Sequence, residues 1–121
     1  MPGNTESQEF PVPQGLDPRQ ALENMRGKKN LLREVARTFL DDAPGQMDKV
    51  RQGLESGDAH LAAKSAHSMK SSLELLAAGR AHDLALQTEL AGKAGDLEQA
   101  KSRFAELSAE MDQVFRELAS L

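Results

Sequence analysis

From residue 16 onward, apolar residues recur every three or four positions with polar residues between them, the spacing of helices that bury one face. The last segment shows this most cleanly. Leu97, Ala100, Phe104, Leu107, Met111, Val114, Leu118 and Leu121 fall at alternating three- and four-residue steps, the seam of a packed bundle. Residues 28–42 carry Leu31, Leu32, Val35, Phe39 and Leu40 on a broad apolar stripe. Pro44 is expected to end or kink that helix, because proline lacks a backbone N–H and crowds the preceding turn. A further segment to about residue 56 places Met47, Val50 and Leu54 on a narrower face. Residues 58–78 gather Leu61, Ala62, Ala66, Met69, Leu73 and Leu76 on one side, and another helix is expected from about residue 80 to 94, with the boundary near Gly79.

Punctuation between these segments is chemical. Asp17 before Pro18 marks a helix start, since an aspartate can accept the orphan amide bonds and proline loses nothing at the first helical position. Gly27 ends that short first helix. Gly57-Asp58 and Gly95-Asp96 repeat one device, a glycine to close a helix in the left-handed conformation and an aspartate to cap the next. The flanking segments differ in length, so these are common boundaries and not repeats. Residues 1–15, with Pro2, Pro11 and Pro13 among polar residues, are expected to form a flexible leader. Residues 16–121 then make one domain: an all-α, antiparallel four-helix bundle with a short additional N-terminal helix.

Composition narrows the chemistry. The chain has 121 residues, a formal net charge of -4, and neither Trp nor Tyr, which argues against nucleic acid as a partner. Cysteine is absent, which removes disulfides, thiolate metal sites and cysteine nucleophiles. No run approaches the roughly 18 apolar residues of a membrane span, and the N-terminus does not read as a secretion signal. A cytoplasmic, monomeric protein is the expectation.

On the helix of residues 58–78, the face opposite the apolar stripe carries His60, Ala63, Lys64, His67, Lys70, Ser71 and Glu74, with His67 near its centre. A histidine on an apolar stripe is usually a hydrogen-bonded core residue; one in the middle of a polar stripe can meet another macromolecule. Lys64 and Lys70 lie about one turn to either side, where ammonium groups can stabilise a phosphoryl group, and Ala63 leaves room for close approach. A neutral imidazole nitrogen can attack an activated phosphoryl group without a separate base. Lysines on a helix face are more often simply solvated.

The heptapeptide Ala66-His67-Ser68-Met69-Lys70-Ser71-Ser72 resembles the signature of histidine-containing phosphotransfer (HPt) domains. Phe39-Leu40-Asp41-Asp42-Ala43-Pro44, Leu54-Glu55-Ser56-Gly57-Asp58 and Gly95-Asp96-Leu97 are similar to the family's other helix ends and turns, so the resemblance spans roughly residues 16–121. It implies that His67 takes a phosphoryl group from a receiver-domain aspartate or a histidine kinase and returns it to a receiver. By the same resemblance Lys70 neutralises phosphate charge; Ala63, Lys64, Ser71 and Glu74, on the same stripe as His67, are expected to contact the partner. The magnesium and most catalytic groups of such transfers belong to the receiver, so no metal, nucleotide or cofactor need bind here, and the chain is a carrier without independent catalysis. That agrees with the lack of a phosphate-cradling glycine loop. Ser71 and Ala77 stand where the family usually has glycine, and Ser71 adds bulk and a hydroxyl beside the ring.

Two other classes compete. A metal-dependent bundle enzyme would use Glu-x-x-His pairs, and none precedes His60, His67 or His82. A noncatalytic module that binds a receiver or kinase without transfer is the stronger rival; Ser71 favours it, and the intact His67 and Lys70 oppose it. His82-Asp83 reads as a surface pair at a helix start.

Overall fold

The computed structural model describes residues 14–121, so most of the expected leader, residues 1–13, lies outside the described residues. Five helices follow: α1 (Pro18–Asn24), α2 (Lys29–Ser56), α3 (Ala59–Leu75), α4 (Gly79–Lys93) and α5 (Leu97–Ala119). α2 packs on α3, α3 on α4, α4 on α5, and α5 returns to α2, while α1 leans on α2. That closed circuit with short connections is the antiparallel four-helix bundle with its additional N-terminal helix.

The caps lie where the sequence placed them. Oδ1 of Asp17 accepts from the Gln20 amide at 3.1 Å, Oδ1 of Asp58 from Leu61 at 3.0 Å, and Oδ1 of Asp96 from Gln99 at 3.0 Å. Gly57 and Gly95 both adopt the left-handed conformation, with φ of 77° and 74°, a region that carries no side-chain clash for glycine.

Pro44 corrects the reading of α2. The helix runs through it without a break for 28 residues, so the expected end near residue 42 and the separate third segment merge. Pro44 is exposed, so its ring does not disturb the packed side of the helix. The buried seam passes behind it: Leu32, Ala36, Phe39, Ala43, Met47, Val50 and Leu54. A proline in a helix interior costs about 3 kcal/mol, and continuous burial on the opposite side offsets it. This seam is rotated from the expected stripe, with Ala36 and Ala43 inside and Leu31 left 40% exposed.

Under α3, Met69, Leu73 and Leu76 are fully enclosed, each stabilising the fold by about 1.5–3 kcal/mol. α3 closes through Leu76 and Ala77, and Ala77 rather than Gly79 takes the left-handed angle, φ 58°. Gly79 is instead the first residue of α4.

Gly15, the last position of the expected leader, is bound to the bundle. The Gly15 amide donates to Oε2 of Glu110 at 2.6 Å, the Leu16 amide to Oε1 of Glu117 at 2.8 Å, and the Asp17 amide to the Ala77 carbonyl at 3.1 Å. Residues 15–17 thus strap α1 across α5 and the end of α3. Among the described residues, no helix is long and apolar enough to cross a membrane.

Candidate functional site

α3 buries Ala62, Ala66, Met69 and Leu73, and this fixes the rotation of the helix. His67 falls on the other side, its side chain 65% exposed, as the polar stripe required. The ring is not free. Its Nδ1 lies 2.8 Å from Oε2 of Glu89 on α4, and that carboxylate is 1% exposed. Close packing of the two helices makes the reach possible: a Cβ on Gly92 would come within 2.9 Å of the Ala59 carbonyl and 3.0 Å of the Ala63 Cβ. Any side chain at Gly92 would push α4, and Glu89 with it, away from the histidine.

A buried carboxylate is costly unless paired, and Glu89 gathers two further partners. The Lys70 ammonium lies 2.7 Å from Oε1 and the Lys93 ammonium 3.0 Å from Oε2. The Lys70 contact is an ion pair without hydrogen-bond alignment, so Oε1 depends on that charge alone. Burial acts to raise the Glu89 carboxyl, but Lys70, Lys93 and His67 together outweigh it and hold the group down at about 2. At neutral pH Glu89 is therefore an acceptor only. Nδ1 must be the donor in the bond to it, and in the neutral ring the lone pair resides on Nε2.

Lys70 stands on the expected face but points inward, only 21% exposed, toward Glu89. Lys64 is exposed and, with His60, Ala63, Lys93 and Glu89, lines a concavity of about 240 Å³ beside the His67 ring. Ala63 requires a correction: it does not sit on the open face but is 3% exposed in the seam between α3 and α4. Its small side chain permits the approach of α4 to α3, and it forms part of the floor of that concavity.

Ser71 and Glu74 are exposed on the far side of His67, along a shallow depression shared with Asn24 and Leu75. There Asn24 of α1 donates from Nδ2 to the Leu75 carbonyl at 3.0 Å, tying the N-terminal strap to the end of the histidine helix. His60 and His82 take no part in the Glu89 cluster; Nδ1 of His82 stands 3.6 Å from Asp83 on α4.

Glu89 and Lys93 escaped the sequence reading. A signal was present: Glu89 follows Ala85 by four residues and precedes Gly92 by three, and both lie on the buried side of α4. A charged residue on a buried stripe must have a partner from another element. Which helix supplied that partner depended on the register of α3 against α4, which one sequence does not reveal.

A family model for the Hpt domain matches residues 34–117. A search of curated proteins finds no match, and a search of solved structures finds none either. The matched span runs from early α2 to near the end of α5 and contains His67, Lys70, Glu89 and Lys93, and the chain belongs to the Hpt domain family.

Proposed function

We propose that His67 is the phosphoryl acceptor of this domain, and that it exchanges the group with the aspartate of a receiver domain or takes it from a histidine kinase. A phosphorelay role in histidine phosphotransfer comes with the family; the residue and the direction are the proposal. The observation that carries it is the bond from Nδ1 to Glu89 beneath an exposed ring. With Nδ1 committed to the carboxylate, the Nε2 lone pair is available to a docking partner.

The step balances without a base in this chain. Nε2 attacks phosphorus, the bond from phosphorus to the donor aspartate oxygen breaks, and the aspartate leaves as a carboxylate. The ring, still protonated on Nδ1, gains positive charge as the N–P bond forms. Glu89 sits where that charge develops and stays ionised, so it stabilises the product more than the starting ring. Glu89 acts through His67 and is a positioning residue. Lys70 and Lys93 keep the buried carboxylate neutralised, and with Lys64 they give the face a positive field toward phosphate. Ser71 and Glu74, exposed further along α3 toward its C-terminal end, would meet the docked partner. Receiver and kinase partners place the exchange in the cytoplasm, with the chain acting as a monomer and without a cofactor.

Incubation with a phosphorylated cognate receiver tests the reading. Labelled, acid-labile phosphate should appear on the parent chain and not on His67→Gln. Receiver binding without label would replace transfer with a docking role.

A further inference from the structure

We propose that Lys93, and not Lys70, is the cation that holds the phosphoryl group on His67: it leaves Glu89 for the phosphoryl while Lys70 stays behind on the buried carboxylate. This rests on the reading of His67 as acceptor.

Three observations favour the exchange. The first is accessibility, since the Lys93 side chain is 62% exposed and Lys70 only 21%. The second is the arrangement on Glu89. Lys93 and His67 share Oε2, at 3.0 and 2.8 Å, whereas Lys70 is alone on Oε1 at 2.7 Å. If Lys93 departs, each oxygen keeps a partner. If Lys70 departs, Oε1 is buried without one, which is strongly unfavourable. The third is position: the concavity beside the ring is lined by His60, Lys64, His67, Glu89 and Lys93, and Lys70 does not line it.

Phosphorylation itself would drive the change. The ring becomes cationic with its proton on Nδ1, so two positive groups then compete for Oε2 while a dianionic phosphoryl arrives within a side-chain swing of Lys93. His67 cannot leave the carboxylate without rotating the bond to phosphorus; Lys93 can. Lys64 and His60 on α3 face the same space, Glu89 lines it, and Lys70 stands behind Glu89 outside it.

The experiment loads His67 with phosphoramidate, which needs no partner protein. Nε2 displaces ammonia as the donor's P–N bond breaks, and ³¹P NMR then follows the titration of the bound phosphoryl. A neighbouring ammonium favours the dianion. Lys93→Gln should raise the phosphoryl pKa by about 0.5 unit, Lys93→Arg should restore it, and Lys70→Gln should raise it less than Lys93→Gln, because Glu89 then holds Lys93 more tightly. Lys93 is exposed, so its variant should fold, and its melting transition checks this. A rise with Lys70→Gln or Lys64→Gln but not with Lys93→Gln would overturn the assignment, as would no rise in any variant. Failure of phosphoramidate to label His67 in the parent chain would defeat the acceptor reading and this proposal together.

Discussion

Two buried glutamates carry out different tasks on the two sides of this bundle. Glu89 on α4 and Glu110 on α5 are 1% and 5% exposed, and each places a carboxylate on the buried side of its helix. Glu110 accepts the Gly15 amide at 2.6 Å and has the Arg80 guanidinium 3.8 Å away. It fastens the chain before α1 and presents nothing to solvent. Glu89 faces two lysines and one histidine, and that histidine is largely exposed. Burial of a carboxylate therefore does not identify chemistry. A carboxylate that binds backbone supports the fold; one that binds an exposed, ionisable ring can also tune what the ring does.

Substituting the two residues in parallel gives the largest expected effect. Glu89→Gln keeps an oxygen for Nδ1 but removes the charge that stabilises the phosphorylated ring, and should slow loading of His67 on the order of 10²-fold. Glu110→Gln should loosen the Gly15 strap and leave the loading rate at the parent value. Rates of label uptake from a phosphorylated receiver decide between them. Equal slowing by both substitutions would mean that either residue acts only through global stability, and the contrast would collapse.

The acid limb of stability tests the Glu89 cluster thermodynamically. Glu89 is held near 2, below its ordinary value of 4.5, so the unfolded chain binds its proton first as pH falls. The stabilisation is complete above about pH 4.5 and is lost as pH drops toward 2. Its expected size is about 2 kcal/mol, less than the full linkage value because two of the three partners are largely exposed. Urea unfolding between pH 5 and 3 should show a shallower fall in stability for Glu89→Gln than for the parent chain. Parallel curves would show that the lysines do not hold the carboxylate down.

The fold was largely legible because periodicity, capping aspartates and left-handed glycines are local signals, and the final seam of Phe104, Leu107, Met111, Val114 and Leu118 is buried as its spacing requires. Pro44 misled because its cost depends on which side of the helix it occupies, and that side is set by the burial of Ala43 and Met47. At the candidate site, the exposure of His67 was legible from the polar stripe of one helix, whereas the inward turn of Lys70 onto Glu89 was not. Glu89 and Lys93 come from the next helix, and their meeting with His67 depends on the α3–α4 register that Ala63 and Gly92 permit. Gly15 shows the same limit at longer range: its amide is held by a residue 95 positions away, and no local pattern announces such a contact.

The smallest expected effect refines the structural half of the comparison. Glu117 holds the Leu16 amide at 2.8 Å and accepts from Gln113 at 2.8 Å. The Leu16 bond, then the Gln113 bond, hold its carboxyl below the ordinary range against the opposing pull of burial. Its stabilisation is therefore present above about pH 4.5 and fades as acid protonates the folded form. Glu117→Gln keeps the shape and removes the charge, so it should cost under about 1 kcal/mol at neutral pH. Hydrogen exchange at the Leu16 amide should quicken while phosphoryl loading of His67 stays unchanged. Slower loading with unaltered exchange would place this end of α5 in communication with the histidine helix, and the separation between a fastening carboxylate and a tuning one would no longer hold.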